Sequence, residues 1–71
     1  MSARSRYIDQ ELKALGIKAD ARHVEAWMRL THSILGDTPK VRFDLEMQAA
    51  AKMAINAGFE ESEALAESLG L

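Results

Sequence analysis

Cysteine is absent from these 71 residues, which removes disulfide staples, thiolate nucleophiles and cysteine zinc sites together. A chain this short lies near the size at which one core gives marginal stability, and many such domains add a bridge, a metal or a second subunit. The first of these routes is closed here, and the composition fits a reducing compartment, with the cytoplasm as the expected location. Proline occurs once and glycine four times, so the chain has few places to turn. Long apolar runs are missing too. No stretch approaches the ~20 residues of a membrane span, and the basic start, Met1 to Arg6, is followed by Asp9, Glu11 and Lys13 instead of the unbroken apolar segment of a signal peptide.

What is present belongs to a folded chain, with 48% hydrophobic and 28% charged residues. The formal net charge of -2 hides an uneven distribution. Residues 1–42 hold eight Lys/Arg against five Asp/Glu, and residues 43–71 hold one against six. Two readings follow from that polarity: the halves face each other within the fold or across a dimer, or one of them forms a docking surface with a preferred sign of partner.

Gly16, Gly36, Gly58 and Gly70 divide the chain into four helical segments. The first, Ser5 to Leu15, carries Ile8, Leu12 and Leu15 as a narrow apolar stripe, and Gly16-Ile17 reads as a left-handed helix stop with Ile17 folding back. Asp20 caps the second segment, whose broad apolar face holds Val24, Trp27, Met28, Leu30, Thr31, Ile34 and Leu35. Arg22, Glu25, Arg29, His32 and Ser33 take the opposite, solvated face, and the helix is expected to run to Gly36.

The third segment opens with Thr38 as cap and Pro39 at the first helical position. Phe43, Met47, Ala50, Ala54 and Ala57 follow at spacings of 4, 3, 4 and 3, a packing seam whose small residues admit a close neighbour. Val41, Phe43, Leu45 and Met47 also alternate with polar residues, but a lone strand over 40–47 would have no pairing partner, and the alanine-rich continuation favours helix. On a helical wheel Asp44, Gln48, Lys52 and Asn56 form a polar row. Val41, Leu45 and Ile55 share its sector, away from the seam. That second apolar side is either covered by other helices or is an exposed strip awaiting a partner. Glu60, Glu61 and Glu63 begin the last segment, suiting the positive end of its dipole, and Leu65 and Leu69 are its expected buried stripe.

Reaction chemistry is poorly supplied. His23 and His32 are nine residues apart on one helix, hence on opposite faces, and share neither a metal ion nor a proton. His23 reads as a buried or half-buried structural residue, His32 as a solvated one near the helix C-terminus. Ser5, Ser33, Ser62 and Ser68 lack an elbow motif and a glycine-rich oxyanion loop. The three glutamates read as solvated, without the spacing of a calcium loop. Nucleic-acid binding is the stronger competitor, since the second segment, Gly36 and the third outline a helix-turn-helix. Asp44 and Glu46 on the would-be recognition helix oppose it, and a patch of Arg4, Arg6, Lys13 and Lys18 is what remains in its favour.

Two resemblances add to this. Ala54-Ile55-Asn56-Ala57-Gly58-Phe59 and the helix after it resemble a corner of ubiquitin-associated domains, with Ala57 where that family has methionine; this implies a shared way of turning a helix corner. Ala21-Arg22-His23-Val24-Glu25-Ala26-Trp27-Met28-Arg29-Leu30, with the ending Ser62-Glu63-Ala64-Leu65-Ala66-Glu67-Ser68-Leu69-Gly70-Leu71, resembles a group of small bacterial helical proteins of no assigned activity. That likeness implies a bacterial or prophage origin and supplies no site residues.

The expected protein is a single all-α domain over residues 1–71: four helices in a compact orthogonal or bundle-like arrangement, with a long central third helix against which the second packs through Trp27. The expected function is non-enzymatic, a protein–protein interaction or dimerisation module without a cofactor or a membrane contact. Its partner, another protein or a second copy, is expected at Val41, Leu45 and Ile55. A small nucleic-acid-binding accessory protein is the alternative.

Overall fold

The computed structural model describes residues 3–31 and 39–71. Among these, the chain forms α1 (Ala3–Leu15), α2 (Ala21–Leu30), α3 (Lys40–Ala57) and α4 (Phe59–Ser68) and no strand. The all-α class and the four helices are as the periodicity predicts, and residues 40–47 are helical. His32, Ser33, Ile34, Leu35, the Gly36 stop and the Thr38 cap lie outside the described residues.

Each joint has an identifiable cause. The Gly16 N–H donates to the Lys13 carbonyl at 3.2 Å and the Ile17 N–H to the Leu12 carbonyl at 2.9 Å, a Schellman closure that needs the positive φ of Gly16, 72°. Asp20 accepts from the Arg22 amide at 2.8 Å and caps α2. Beyond Leu30, Thr31 is the C-cap, and its hydroxyl donates to the Met28 carbonyl at 3.0 Å; α2 is therefore shorter than a helix reaching Gly36. Pro39 occupies the N-cap of α3 instead of its first turn, and its carbonyl accepts from Phe43 at 2.9 Å. Gly58 alone separates α3 from α4 and serves as C-cap of one and N-cap of the other.

Ile8 and Leu12 of α1, Val24 and Met28 of α2, and Met47, Ala50 and Ala51 of α3 make the core, with Ile17, Trp27 and Phe43 packed against it. The α3 seam is confirmed at its centre: Met47, Ala50 and Ala54 are buried, and Phe43 and Ala57 are half-buried. The most extensively packed helix is α2, which lies against α1, α3 and α4, although the longest is α3. For that reason Ala21 and His23 to Ala26 are buried, and of the polar face expected for α2 Glu25 is enclosed, Arg22 is half-buried and Arg29 is exposed. The Cα radius of gyration, 10.9 Å, matches the ~11 Å of a compact chain of this length.

Three apolar positions differ from expectation. Leu15 is exposed because the Schellman turn swings Ile17 inward in its place, and Leu30 is exposed at the end of α2, beyond the enclosed part. On α4 the buried residues are Ser62 and Ala66, with Leu65 half-buried and Leu69 exposed. Small side chains let α4 lie close against α2 and α3. The Trp27 indole donates to Ser62 Oγ at 3.0 Å, and Ser62 Oγ donates to the Ala54 carbonyl at 3.2 Å, so three helices share one buried hydroxyl.

Candidate functional site

The seam of α3 faces the core, and the opposite sector faces water. Val41, Leu45 and Ile55 are 73%, 62% and 54% exposed, which is unusual for three β-branched or leucine side chains in line on one helix. Gln48, half-buried, and Lys52, exposed, complete the line. The five positions follow each other at 4, 3, 4 and 3 residues, the spacing of a seam between two helices.

At its Ile55 end this strip runs into a depression of about 230 Å³ lined by Lys18, Ala19, Asp20, His23, Ile55 and Phe59, among others. Phe59 is 68% exposed, yet its ring meets the His23 ring edge-on at 5.0 Å. The floor is thus a buried imidazole, and the rim sets Ile55 and Phe59 beside the exposed Lys18 and Asp20. Exposed Lys40 and Arg42 flank the Val41 end, each paired with an acid one turn on: Lys40 with Asp44 at 2.9 Å and Arg42 with Glu46 at 3.4 Å. Exposed Glu60 and Glu61 lie in the first turn of α4.

Behind the depression lies a polar cluster that sequence reasoning did not assemble. Glu63, expected to be solvated, accepts from Arg22 Nη1 at 2.9 Å and pairs with His23 Nε2 at 2.8 Å. Arg22 Nε also donates to the Leu71 main-chain oxygen at 2.7 Å. The hydrogen bond to His23, then that from Arg22, holds the Glu63 carboxyl below the usual carboxylate range. A carboxylate so held is an anchor and a poor proton acceptor at neutral pH, so the cluster ties α2 to α4.

Glu25 is the second departure. Its side chain is 1% exposed, accepting from the Ser5 hydroxyl of α1 and from Arg29 Nη2 at 3.1 Å. The solvated face assigned to Glu25 is the face that α1 covers. A third cluster joins α1 to α3, where the Tyr7 hydroxyl donates to Asp44 Oδ1 at 2.8 Å. Lys40, then Tyr7, lowers the Asp44 carboxyl; partial burial, then the bond to Asp44, raises the Tyr7 phenol; Asp44 raises Lys40. All three clusters bridge helices, and among the described residues no three His, Asp or Glu side chains are grouped to hold a metal ion.

The sequence-predicted site residues thus share one exposed side of α3, and His23 is buried as read. Glu25, Ser62 and Glu63 were misread or passed over, although Trp27, a donor that needs a partner once buried, was a signal pointing to a residue such as Ser62. No family model, no curated protein and no solved structure matches the chain.

Proposed function

We propose that this chain is a non-enzymatic protein–protein interaction or dimerisation module that works through the outer side of α3. The observation that carries the reading is the exposure of Val41, Leu45 and Ile55 in one line, beside polar clusters that are all used to bridge helices. Exposed apolar side chains at seam spacing lower their free energy when a complementary surface removes them from water, at roughly 25 cal/mol per Å² of apolar area. No helix among the described residues is long and apolar enough to cross a membrane, and a cytoplasmic, bacterial or phage setting is part of this reading.

Affinity capture from the cell that makes the protein tests it, with the wild type and Leu45→Glu compared at equal loading. The reading predicts a bound species that the wild type retains and the variant loses. Identical recovery by both proteins would sink it.

A nucleic-acid role draws on one separate observation. Arg4, Tyr7, Lys40 and Phe43 line an open groove of about 510 Å³ between the starts of α1 and α3, where cations and aromatic rings stand together as they do in single-strand binders. Against it stand the acidic balance of the chain and the commitment of Lys40 to Asp44. Titration with single-stranded DNA at two salt concentrations separates the readings, because phosphate contacts weaken steeply with salt.

A further inference from the structure

We propose that the depression between the start of α2 and the α3–α4 corner is a binding site for a small, uncharged aromatic molecule that carries one N–H or O–H donor, as a phenol or an indole does. The site goes beyond the contact surface on α3 and shares only Ile55 with it.

Its floor separates it from an ordinary surface hollow. His23 is 4% exposed, and its ring uses one nitrogen within the protein: Nε2 lies 2.8 Å from Glu63 Oε1. The Glu63 carboxyl is held below the usual range by that bond and by Arg22, so it is ionised at neutral pH and can only accept. The proton of the neutral ring therefore sits on Nε2, and Nδ1 carries a lone pair. Among the described residues nothing bonds Nδ1. Nor is it sealed, since Glu46 Oε2 is the one enclosed side-chain nitrogen or oxygen among them that lacks a partner. Nδ1 thus reaches open space, and the depression of about 230 Å³ is the space that His23 lines.

The walls set the rest of the ligand. Ala19, Ala54 and Ile55 are apolar, and the Phe59 ring stands edge-on to the imidazole at 5.0 Å with most of its surface in water. A flat aromatic group suits such walls, because ring pairs gain beyond the area they bury. Lys18 and Asp20, both exposed, bring opposite charges to the rim and favour no net sign. The volume falls below the ~300 Å³ at which pockets for drug-sized molecules begin, so one small ring system fills it. The donor to Nδ1 is the discriminating contact: an apolar ring of the same shape displaces water from the lone pair and leaves it unpaired. For about eight non-hydrogen atoms a dissociation constant on the order of 0.1–1 mM follows.

The ring nitrogens of His23 test this directly. They are read by two-bond proton–nitrogen correlation on the isotope-labelled full chain at about pH 8, above the ordinary histidine range. The probes are p-cresol and toluene, which is the same ring without the hydroxyl. His23 also holds α4 through Glu63, so the exposed Phe59 is substituted in its place, as Phe59→Ala. The free protein is expected to carry its proton on Nε2, and p-cresol to move Nδ1 saturably. Toluene is expected to bind at least about threefold more weakly and to leave Nδ1 in place, and Phe59→Ala to weaken p-cresol at least about threefold. A proton on Nδ1 in the free protein overturns the site, as does the lack of a saturable shift up to about 10 mM p-cresol. Toluene that binds as tightly as p-cresol, or Phe59→Ala that binds p-cresol as the wild type does, overturns it equally.

Discussion

His23 Nε2 and Glu63 Oε1 meet at 2.8 Å, across 40 residues of sequence, and join the first turn of α2 to α4. The imidazole is buried and the carboxylate is partly exposed, with Arg22 on its other side. This contact, with the Trp27–Ser62–Ala54 hydrogen bonds, ties α4 to the domain, since its fully buried positions are a serine and an alanine.

Glu63→Gln is expected to lower the melting temperature by several degrees at pH 7 and to flatten the acid limb of the stability curve. The Glu63 carboxyl is depressed in the folded state, so the unfolded chain binds more protons as acid is added. The stability it contributes is complete above the unfolded carboxyl value of ~4.3 and is lost as pH falls through the lower folded value. Urea unfolding at steps between pH 2.5 and 7 checks this; equal slopes for wild type and variant below pH 4.5 would contradict it.

Ser5→Ala removes the hydroxyl that α1 donates to the enclosed Glu25 carboxylate. Leaving part of a buried carboxylate unsatisfied costs about 1–3 kcal/mol. For a domain of this size that is a fall of roughly 4–8 °C per kcal/mol in melting temperature. Calorimetry on Ser5→Ala beside Ser68→Ala, an exposed control whose hydroxyl bonds only within α4, isolates the buried contribution.

Two glycine joints are expected to differ in what they tolerate. Gly16, at φ 72°, lies in the left-handed helical region, which asparagine enters readily. Gly58, at φ 92° and ψ 165°, lies where side chains are essentially absent. An added Cβ meets nothing within 4 Å at either place, so the difference is purely one of backbone. Gly16→Asn is expected to cost under about 1 kcal/mol and Gly58→Asn about 1–3 kcal/mol, read by chemical denaturation.

The helices and the α3 seam were legible because both depend on local periodicity: the 4-3-4-3 run from Phe43 to Ala57 faces one way whatever surrounds it. Gly16-Ile17 and Asp20 were legible for the same reason, since their hydrogen bonds close within a few residues. Glu25 was not, because its burial depends on where α1 comes to rest, and a wheel drawn for α2 alone holds no information about α1. Glu63 was misread likewise: an acidic first turn is a solvated feature until a second helix brings Arg22 and His23 to it. Leu65 and Leu69 mislead because close helix packing on α4 selects for small Ser62 and Ala66 over large apolar groups. The strip of Val41, Leu45 and Ile55 was legible as an apolar sector, and its exposure was decided only by the positions of the other helices.

Photo-cross-linking tests the contact surface most directly. A photoreactive phenylalanine analogue replaces Leu45 in one variant and Gln10, exposed on α1, in another, and both are irradiated in the cell that makes the protein. Because Leu45 is 62% exposed, its replacement is expected to change stability by no more than about 0.5 kcal/mol. The account predicts one discrete protein adduct from position 45, to a second copy or another protein, and none from position 10. Adducts of equal yield and pattern from the two positions, or none from position 45, would contradict it.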